Sequence, residues 1–275
     1  MDSFCFDVSL VTLLSALTRR PKKDKVAKPK SANTLSCLRQ PPNGRGDGGP
    51  TYQAFTMDES RINNKWPLAK EGLPFVLISC ALTLIFLFLG LFLVFVLAAF
   101  ISLFIIFFFR DPDRRNDVEQ NAVLTPADGK ILEVRHFHNN NTPLGEPAVK
   151  VSIFMSVFNV HVNRIPIGGS IEKITYHPGN FFSANLDKAS KHNENNRITL
   201  KTRDSHKVVF IQIAGLIARR IACWVKEGER VEAGQRFGLI RFGSRLEVYL
   251  PVDSQITVNL NQKVKAGKTV IGYIS

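Results

Sequence analysis

Cysteine is scarce in this 275-residue chain, and its few copies lie far apart in different surroundings. The spacing fits neither a disulfide framework nor a zinc site. Motifs that recognise nucleic acid are also lacking, and the basic residues behind the net charge of +13 are scattered. We therefore expect no metal and no nucleic-acid partner. The cysteines are Cys5, Cys37, Cys80 and Cys223.

Charged side chains are missing from one long segment. From Leu73 to Phe109 there are 37 consecutive residues without a charge, mostly Leu, Phe, Ile and Val. This exceeds the roughly 20 residues that cross a bilayer as one helix, and Gly90 lies near the middle. Basic residues flank both ends, which places both ends on the cytoplasmic side. We predict a membrane-embedded helical hairpin over 73–109 after a juxtamembrane segment over 58–72, with one tilted span as the alternative.

The first 57 residues show no sustained apolar periodicity and are rich in Lys, Arg, Ser, Pro and Gly. This composition is typical of a disordered basic extension. Its short apolar stretch at 8–17 has its charges after it, which is the wrong order for a secretory signal. We expect Met57 to be a sufficient start, and we expect the basic charge of the chain to favour contact with anionic lipid headgroups.

Beyond residue 110 the sequence changes to short runs rich in Val, Ile and Phe, separated by Gly, Pro, Asn and Asp. Such closely spaced runs are typical of β-strands joined by tight turns. We predict a mainly β (α+β) domain over 110–275 with a barrel-like or sandwich-like C-terminal part, and short helices at 159–164 and 185–191. The predicted strands are 122–124, 130–135, 148–154, 169–176, 198–202, 207–213, 236–240, 246–250, 255–259 and 269–274.

The tripeptide Phe242-Gly243-Ser244 ends at the first of the last 32 residues, Ser244. A serine attacks the preceding carbonyl more easily when that carbonyl belongs to glycine, because the missing Cβ reduces crowding and permits strained backbone conformations. Taken alone, a Gly-Ser pair is more typical of an ordinary turn.

The tripeptide belongs to one of three sequence segments that follow the apolar segment in a fixed order. Together they resemble the phosphatidylserine decarboxylase family in its short bacterial form, and the resemblance runs from about Pro74 to Ser275. The segments are Leu-Thr-Pro-Ala-Asp-Gly-Lys at 124–130, Phe-Met-Ser-Val-Phe-Asn-Val-His-Val-Asn-Arg at 154–164 and Arg-Phe-Gly-Ser-Arg-Leu-Glu-Val-Tyr-Leu-Pro at 241–251.

The resemblance implies a proenzyme that cleaves itself between Gly243 and Ser244. Ser244 Oγ would attack the Gly243 carbonyl to give an ester, and loss of the Ser244 α-proton would expel Gly243 as a carboxylate. The resulting dehydroalanine hydrolyses to ammonia and a covalent pyruvoyl cofactor. The products would be a large chain, with 110–243 as its catalytic part, and a small chain over 244–275, which form a heterodimer open to further oligomerisation.

The same resemblance implies the reaction. The pyruvoyl carbonyl would form a Schiff base with phosphatidylserine and accept the electrons released as CO2 leaves, giving phosphatidylethanolamine without a metal or an external cofactor.

The resemblance also implies roles for two further residues. His161 would accept the proton of Ser244, and Asp128 would orient His161. Judged from the residues alone, Asp128 also suits a turn with Gly129, and His161 also suits a core or surface position. Longer family members carry a second histidine where this chain has Arg164, so His161 is left to serve both self-cleavage and decarboxylation.

Residues 176–197 resemble a family stretch near the active site. Phe181 and Phe182 are candidate contacts of acyl chains, and Lys188 or Arg197 could pair with phosphate or carboxylate. An ordinary polar loop with two core phenylalanines is the alternative.

We therefore predict conversion of phosphatidylserine to phosphatidylethanolamine at the inner membrane of a bacterium, with the catalytic domain on the cytoplasmic side. Decarboxylation of an archaetidylserine-type lipid is an alternative, because the headgroup chemistry is identical. A biotinyl-like or lipoyl-like carrier is a second alternative, since Val-x-x-Gly units at 225–234 and 264–267 resemble carrier turns.

Overall fold

The structure is a computed structural model that describes residues 59–114, 118–184, 192–216, 221–241 and 243–275. These residues belong to one compact unit that extends from Tyr52 to Ser275. The predicted disordered extension, the predicted helix at 185–191 and its Lys188 lie outside the described residues.

Two apolar helices form a hairpin ahead of the β-rich domain. A short helix α1 (Glu59–Ile62) and a 3-10 turn (Lys70–Gly72) precede α2 (Leu73–Phe88), which is followed by α3 (Phe92–Phe108). Between the long helices the φ angle of Gly90 is +70°, in the left-handed region that favours glycine. The predicted helical hairpin is therefore confirmed, and the helix break lies at the predicted glycine.

Polar contacts hold the two long helices together. The hydroxyls of Thr83 and Ser102 are 2.9 Å apart across the hairpin, and a β-bridge between Leu68 and Arg110 closes its base. Within the described part of the chain, the helix over 70–88 is long and apolar enough to cross a membrane, while α3 is apolar but shorter.

The domain that follows contains fourteen strands in three sheets within the described residues, so the predicted mainly β class is confirmed. The strands are β1 (Ala122–Leu124), β2 (Gly129–Phe137), β3 (Ala148–Met155), β4 (Val162–Arg164), β5 (Gly169–His177), β6 (Asn195–Thr202), β7 (Lys207–Ile213), β8 (Ile221–Cys223), β9 (Arg230–Val231), β10 (Arg236–Ile240), β11 (Ser244–Pro251), β12 (Gln255–Ile256), β13 (Lys263–Val264) and β14 (Val270–Tyr273).

The largest sheet has eight antiparallel strands in the order β13-β2-β3-β11-β7-β6-β5-β9 and curls into a half-barrel. Strand β11 lies near its centre, between β3 and β7. Every second residue of β11 lies on the same face, and the side chains of Leu246, Val248 and Leu250 on that face are fully buried in the main core. The smaller sheets, β1-β14-β12 and β4-β10-β8, add residues to this core.

The predicted helix at 159–164 is wrong. Its second half forms strand β4, which pairs with β10, and Asn159 lies in the turn before it. The physical reason is tertiary: β4 is buried along its whole length and completes the ladder of β10, which a helix could not do. The predicted strand at 255–259 is also shorter than expected, since β12 ends at Ile256.

Candidate active site

The Gly-Ser pair lies where the central strand of the large sheet begins. Ser244 is the first residue of β11, is fully buried, and pairs with Met155 at the end of β3. The φ angle of Gly243 is +59°, a conformation that side chains other than glycine rarely adopt. The Gly-Ser pair therefore joins a residue in the left-handed conformation to a buried strand.

The backbone of Gly215 lies against the carbonyl of Gly243. A Cβ added at Gly215 would overlap the Gly243 carbonyl oxygen and would come within 3.3 Å of the Ala184 Cβ. Only glycine can occupy this position without displacing the carbonyl that Ser244 would attack. The sequence signal for Gly215 is weak, because a glycine just after a strand is common at turns.

A chain of buried polar side chains begins beside Ser244. Ser244 Oγ donates to the Met155 sulfur at 3.5 Å, and Asn163 Nδ2 donates to the same sulfur at 3.6 Å. Gln212 Nε2 donates to Asn163 Oδ1 at 2.8 Å, and Asn196 Nδ2 donates to Gln212 Oε1 at 3.1 Å. None of these neighbours of Ser244 was predicted from the sequence as part of the site, although Asn163 lies only two residues after His161.

His161 precedes strand β4 and is almost completely buried, with 1% of its surface exposed. The ring of Phe108, from the end of α3, lies 4.1 Å from the imidazole, centroid to centroid. Neither ring nitrogen makes a hydrogen bond of normal geometry with any described residue. Burial is the main reason that the pKa of His161 falls to about 4; the Asn159 backbone and the charge of Asp128 act to raise it, and the charge of Arg110 lowers it further.

The carboxylate of Asp128 is bound by Arg114 and by a backbone amide. The guanidinium of Arg114 donates to both carboxylate oxygens, at 2.5 and 2.9 Å, and the Ala266 amide donates to one of them at 2.7 Å. Among the described residues, no hydrogen bond joins Asp128 to His161 or His161 to Ser244. Asp128 affects His161 through its charge, which raises the pKa of the imidazole slightly.

Arg164, at the position of the second histidine in longer family members, has a structural environment. It is buried and donates to the carbonyls of Gly234 at 3.0 Å and Pro112 at 2.9 Å. Burial lowers its pKa to about 10, so the guanidinium stays charged at neutral pH. It anchors the chain leaving the hairpin and cannot act as a base near pH 7.

The two candidate phenylalanines differ in exposure. Phe181 is partly buried against Ala214 and Ile240, close to the strand end that faces the Gly-Ser pair. Phe182 is 41% exposed, and its ring meets that of His192 edge to face at 6.5 Å. Phe182 is therefore the one with surface available to an acyl chain.

Asn193 fixes this loop to the site. Its side chain accepts from the Phe182 amide at 2.9 Å and donates to the Phe182 carbonyl at 2.7 Å. It also donates to the Ala214 carbonyl at 2.7 Å, immediately before Gly215. The loop and the backbone around Gly243 are thus parts of one hydrogen-bonded structure.

Arg197 is not brought to Ser244. Arg197 on β6 lies opposite Ile211 on β7, and Ile211 lies opposite Glu247 on β11. Because side chains alternate along a strand, Glu247 and Ser244 lie on opposite faces, and Arg197 shares the face of Glu247. Among the described residues, no group of three His, Cys, Asp or Glu side chains is arranged to hold a metal ion.

Comparisons with known proteins identify the family of the chain. The model of the phosphatidylserine decarboxylase family matches residues 101–272. The phosphatidylserine decarboxylase proenzyme of Syntrophus aciditrophicus is 49% identical over 207 residues, which cover 74% of this chain and 96% of that protein. The proenzyme of Desulfotalea psychrophila is 45% identical over 211 residues, 76% of this chain and 97% of its own.

A third relative, the proenzyme of Paraburkholderia xenovorans, is 46% identical over 207 residues, covering 75% of this chain and 97% of its own length. The residues that the family model matches include the second half of α3, the whole large sheet and every residue of the site described above. This chain belongs to the phosphatidylserine decarboxylase family.

Proposed function

We propose that this protein is a self-processing decarboxylase that converts phosphatidylserine to phosphatidylethanolamine and CO2. The observation that carries the proposal is the position of Ser244, fully buried at the start of the central strand behind a glycine in the left-handed conformation, in a chain of this family. No observation favours an archaetidylserine-type lipid or a carrier domain over this function.

Self-cleavage between Gly243 and Ser244 requires a proton acceptor for the serine hydroxyl. His161 is the proposed acceptor, because a histidine whose pKa is about 4 is neutral at pH 7 and its ring nitrogens make no hydrogen bond of normal geometry with a described residue. Burial of Ser244 keeps water from the ester, so the ester is not simply hydrolysed and elimination can follow.

The surroundings of Ser244 fit the pyruvoyl group proposed as its product. The Met155 sulfur lies against the Ser244 side chain and is a soft, apolar neighbour suited to a methyl group. The glycine at position 215 leaves room for the carbonyl that must be attacked. When present, the pyruvoyl group supplies an electrophilic carbonyl that accepts the electrons released with CO2.

The cleaved protein is proposed to remain one heterodimer of a large chain ending at Gly243 and a small chain over 244–275. Strand β11, which begins the small chain, pairs on both sides with strands of the large chain. The ion pair of Arg114 and Asp128 adds a further link, because both residues bind the backbone of Ala266 in the small chain.

The hairpin over 73–109 is proposed to insert into the cytoplasmic leaflet of the inner membrane, with 58–72 as the juxtamembrane segment and 110–275 as the catalytic domain. Most of the large apolar side chains of both long helices are exposed, which is typical of a surface that contacts lipid. Phosphatidylserine would then approach the site within the membrane surface, with Phe182 as a candidate contact of its acyl chains.

Denaturing electrophoresis and intact mass measurement test the proposal. The purified wild-type protein should yield a fragment of 32 residues whose mass increases on borohydride reduction, as expected for a ketone at its N-terminus. The matched control is Ser244→Ala, which should stay in one piece and release no CO2 from carboxyl-labelled phosphatidylserine. Decarboxylation by an uncleaved wild-type chain would refute the proposal.

A further inference from the structure

Two donors converge on one weak acceptor beside the proposed cleavage site. Ser244 Oγ and Asn163 Nδ2 both direct a hydrogen toward the sulfur of Met155, at 3.5 and 3.6 Å. All three side chains are fully buried. A thioether sulfur is a poor acceptor, so neither donor has its best partner here.

The orientation of the Asn163 amide is set by its other end. Its oxygen accepts from Gln212 Nε2 at 2.8 Å, and the Gln212 oxygen accepts in turn from Asn196 Nδ2 at 3.1 Å. Turning the Asn163 amide over would place its NH2 group against the NH2 group of Gln212. The network therefore holds the NH2 of Asn163 on the side of Ser244.

The buried amide network lowers the stability of the fold, and a purely structural role does not explain it. Three amide side chains, Asn163, Gln212 and Asn196, are fully buried next to the apolar core of the half-barrel. Buried amides destabilise a fold unless they are well paired, and apolar side chains of similar size avoid the penalty. A strong donor held against a sulfur becomes useful when a better acceptor forms nearby.

We propose that Asn163 Nδ2 donates a hydrogen bond to Ser244 Oγ as negative charge develops on that oxygen during processing, with Gln212 as the residue that positions it. The inference rests on the proposed self-cleavage. It assigns the donor to a particular atom of the reaction, a role distinct from that of the base.

Charge reaches Ser244 Oγ at both steps. In the first, the O–H proton passes to a base, the Oγ electron pair bonds to the Gly243 carbonyl carbon, the C–N bond breaks, and the Ser244 nitrogen takes up a proton. In the second, a base takes the α-proton, the Cα–H pair forms the Cα=Cβ double bond, and the Cβ–Oγ bond breaks with its pair on Oγ. That oxygen then belongs to the Gly243 carboxylate, so a donor to Oγ stabilises the departing group.

Asn163→Leu tests the proposal against a matched control, Asn196→Leu, which removes the far end of the same amide chain. Both variants leave one Gln212 amide atom without its partner, so their effects on stability should be similar. The full-length proteins are followed by gel for appearance of the small chain, and by cleavage of the uncleaved chain with hydroxylamine, which splits esters. Unfolding midpoints in urea are measured in parallel.

Loss of one donor to a developing charge should slow small-chain formation by roughly 100- to 1,000-fold in Asn163→Leu. Hydroxylamine should split a larger share of its uncleaved chain, because elimination is the slower step without the donor. Asn196→Leu keeps the Asn163 donor and its contact with Gln212, and should process faster than Asn163→Leu. Equal rates in the two variants, whether fast or slow, would overturn the proposal.

Gln212→Met keeps the test decisive if Asn163→Leu does not fold, because Met has nearly the length and volume of Gln but cannot bind the Asn163 oxygen. The variant should slow small-chain formation, since the Asn163 amide is no longer held toward Ser244; processing at the wild-type rate would contradict the proposal. A wild-type protein that is never cleaved would refute the proposed function itself, whereas cleaved wild type with unaffected Asn163→Leu would refute this inference alone.

Discussion

Acidification from pH 7 to pH 5 should destabilise this protein through His161. In the unfolded chain a histidine takes up its proton near pH 6.5, but burial holds the pKa of folded His161 at about 4. The neutral imidazole is therefore favoured by the fold. Its stabilising contribution is fully present above pH 6.5 and is lost as the pH falls toward 4.

The size of the effect follows from the two pKa values. Between pH 7 and pH 5 the unfolded imidazole becomes almost fully protonated, while the folded one at a pKa of about 4 stays mostly neutral, and the linked loss of stability is about 2 kcal/mol. A further loss of stability of about 1 kcal/mol accumulates below pH 5, and it ends once the folded imidazole is protonated as well.

Urea unfolding of detergent-solubilised protein measures this loss. Both proteins compared should carry Ser244→Ala, so that self-cleavage does not interfere, and one should also carry His161→Gln, which does not titrate. From pH 7 to pH 5 the parent should lose about 2 kcal/mol more than the His161→Gln variant. His138→Gln is the control, since His138 is exposed, and it should behave like the parent. Equal losses in the parent and in His161→Gln would refute the reasoning.

Two further predictions concern the neighbours of the site. Gly215→Ala should slow self-cleavage severely, because its Cβ would displace the Gly243 carbonyl, whereas Gly168→Ala, whose Cβ would make only ordinary van der Waals contacts, should be cleaved normally; gel analysis checks both, and similar rates would contradict the argument. Arg114→Met should lower the free energy of unfolding by about 3 kcal/mol, because it leaves the buried Asp128 carboxylate without its cation, and adding Asp128→Asn should restore part of that loss; a loss under about 1 kcal/mol in urea unfolding would count against the pair.

Local patterns in the sequence account for much of the fold. A charge-free run interrupted by Gly90 predicts two helices and the turn between them, because that spacing suits two short helices better than one long one. Runs of β-branched and aromatic residues predict the long strands, because such side chains suit a strand in which successive residues point to opposite faces. Strand β4 was missed because its conformation depends on pairing with β10, which lies about seventy residues later in the chain.

The site was predicted less completely, because its geometry depends on long-range contacts. The family motifs lead directly to Ser244, Gly243 and His161. They do not reveal that Asp128 is bound by Arg114, since Arg114 reads from the sequence as part of the basic flank of the hairpin. The pairing of Asn163 with Gln212 joins residues 49 positions apart and has no local signature.

The hairpin contributes to the site as well as to the proposed membrane attachment. Phe108, at the end of α3, covers the His161 ring, and Arg110 donates to the carbonyls of Phe107 at 2.8 Å and Phe158 at 2.7 Å. Phe158 belongs to the turn just before His161, is 65% exposed, and meets Phe104 edge to face.

The burial that lowers the pKa of His161 is therefore created in part by the segment proposed to enter the lipid. The neutral state of His161 at pH 7, which suits a proton acceptor, then depends on how the hairpin packs against the catalytic domain. An unrelated membrane anchor joined at residue 110 would restore attachment to the membrane but would leave His161 more hydrated, with a pKa closer to its ordinary value.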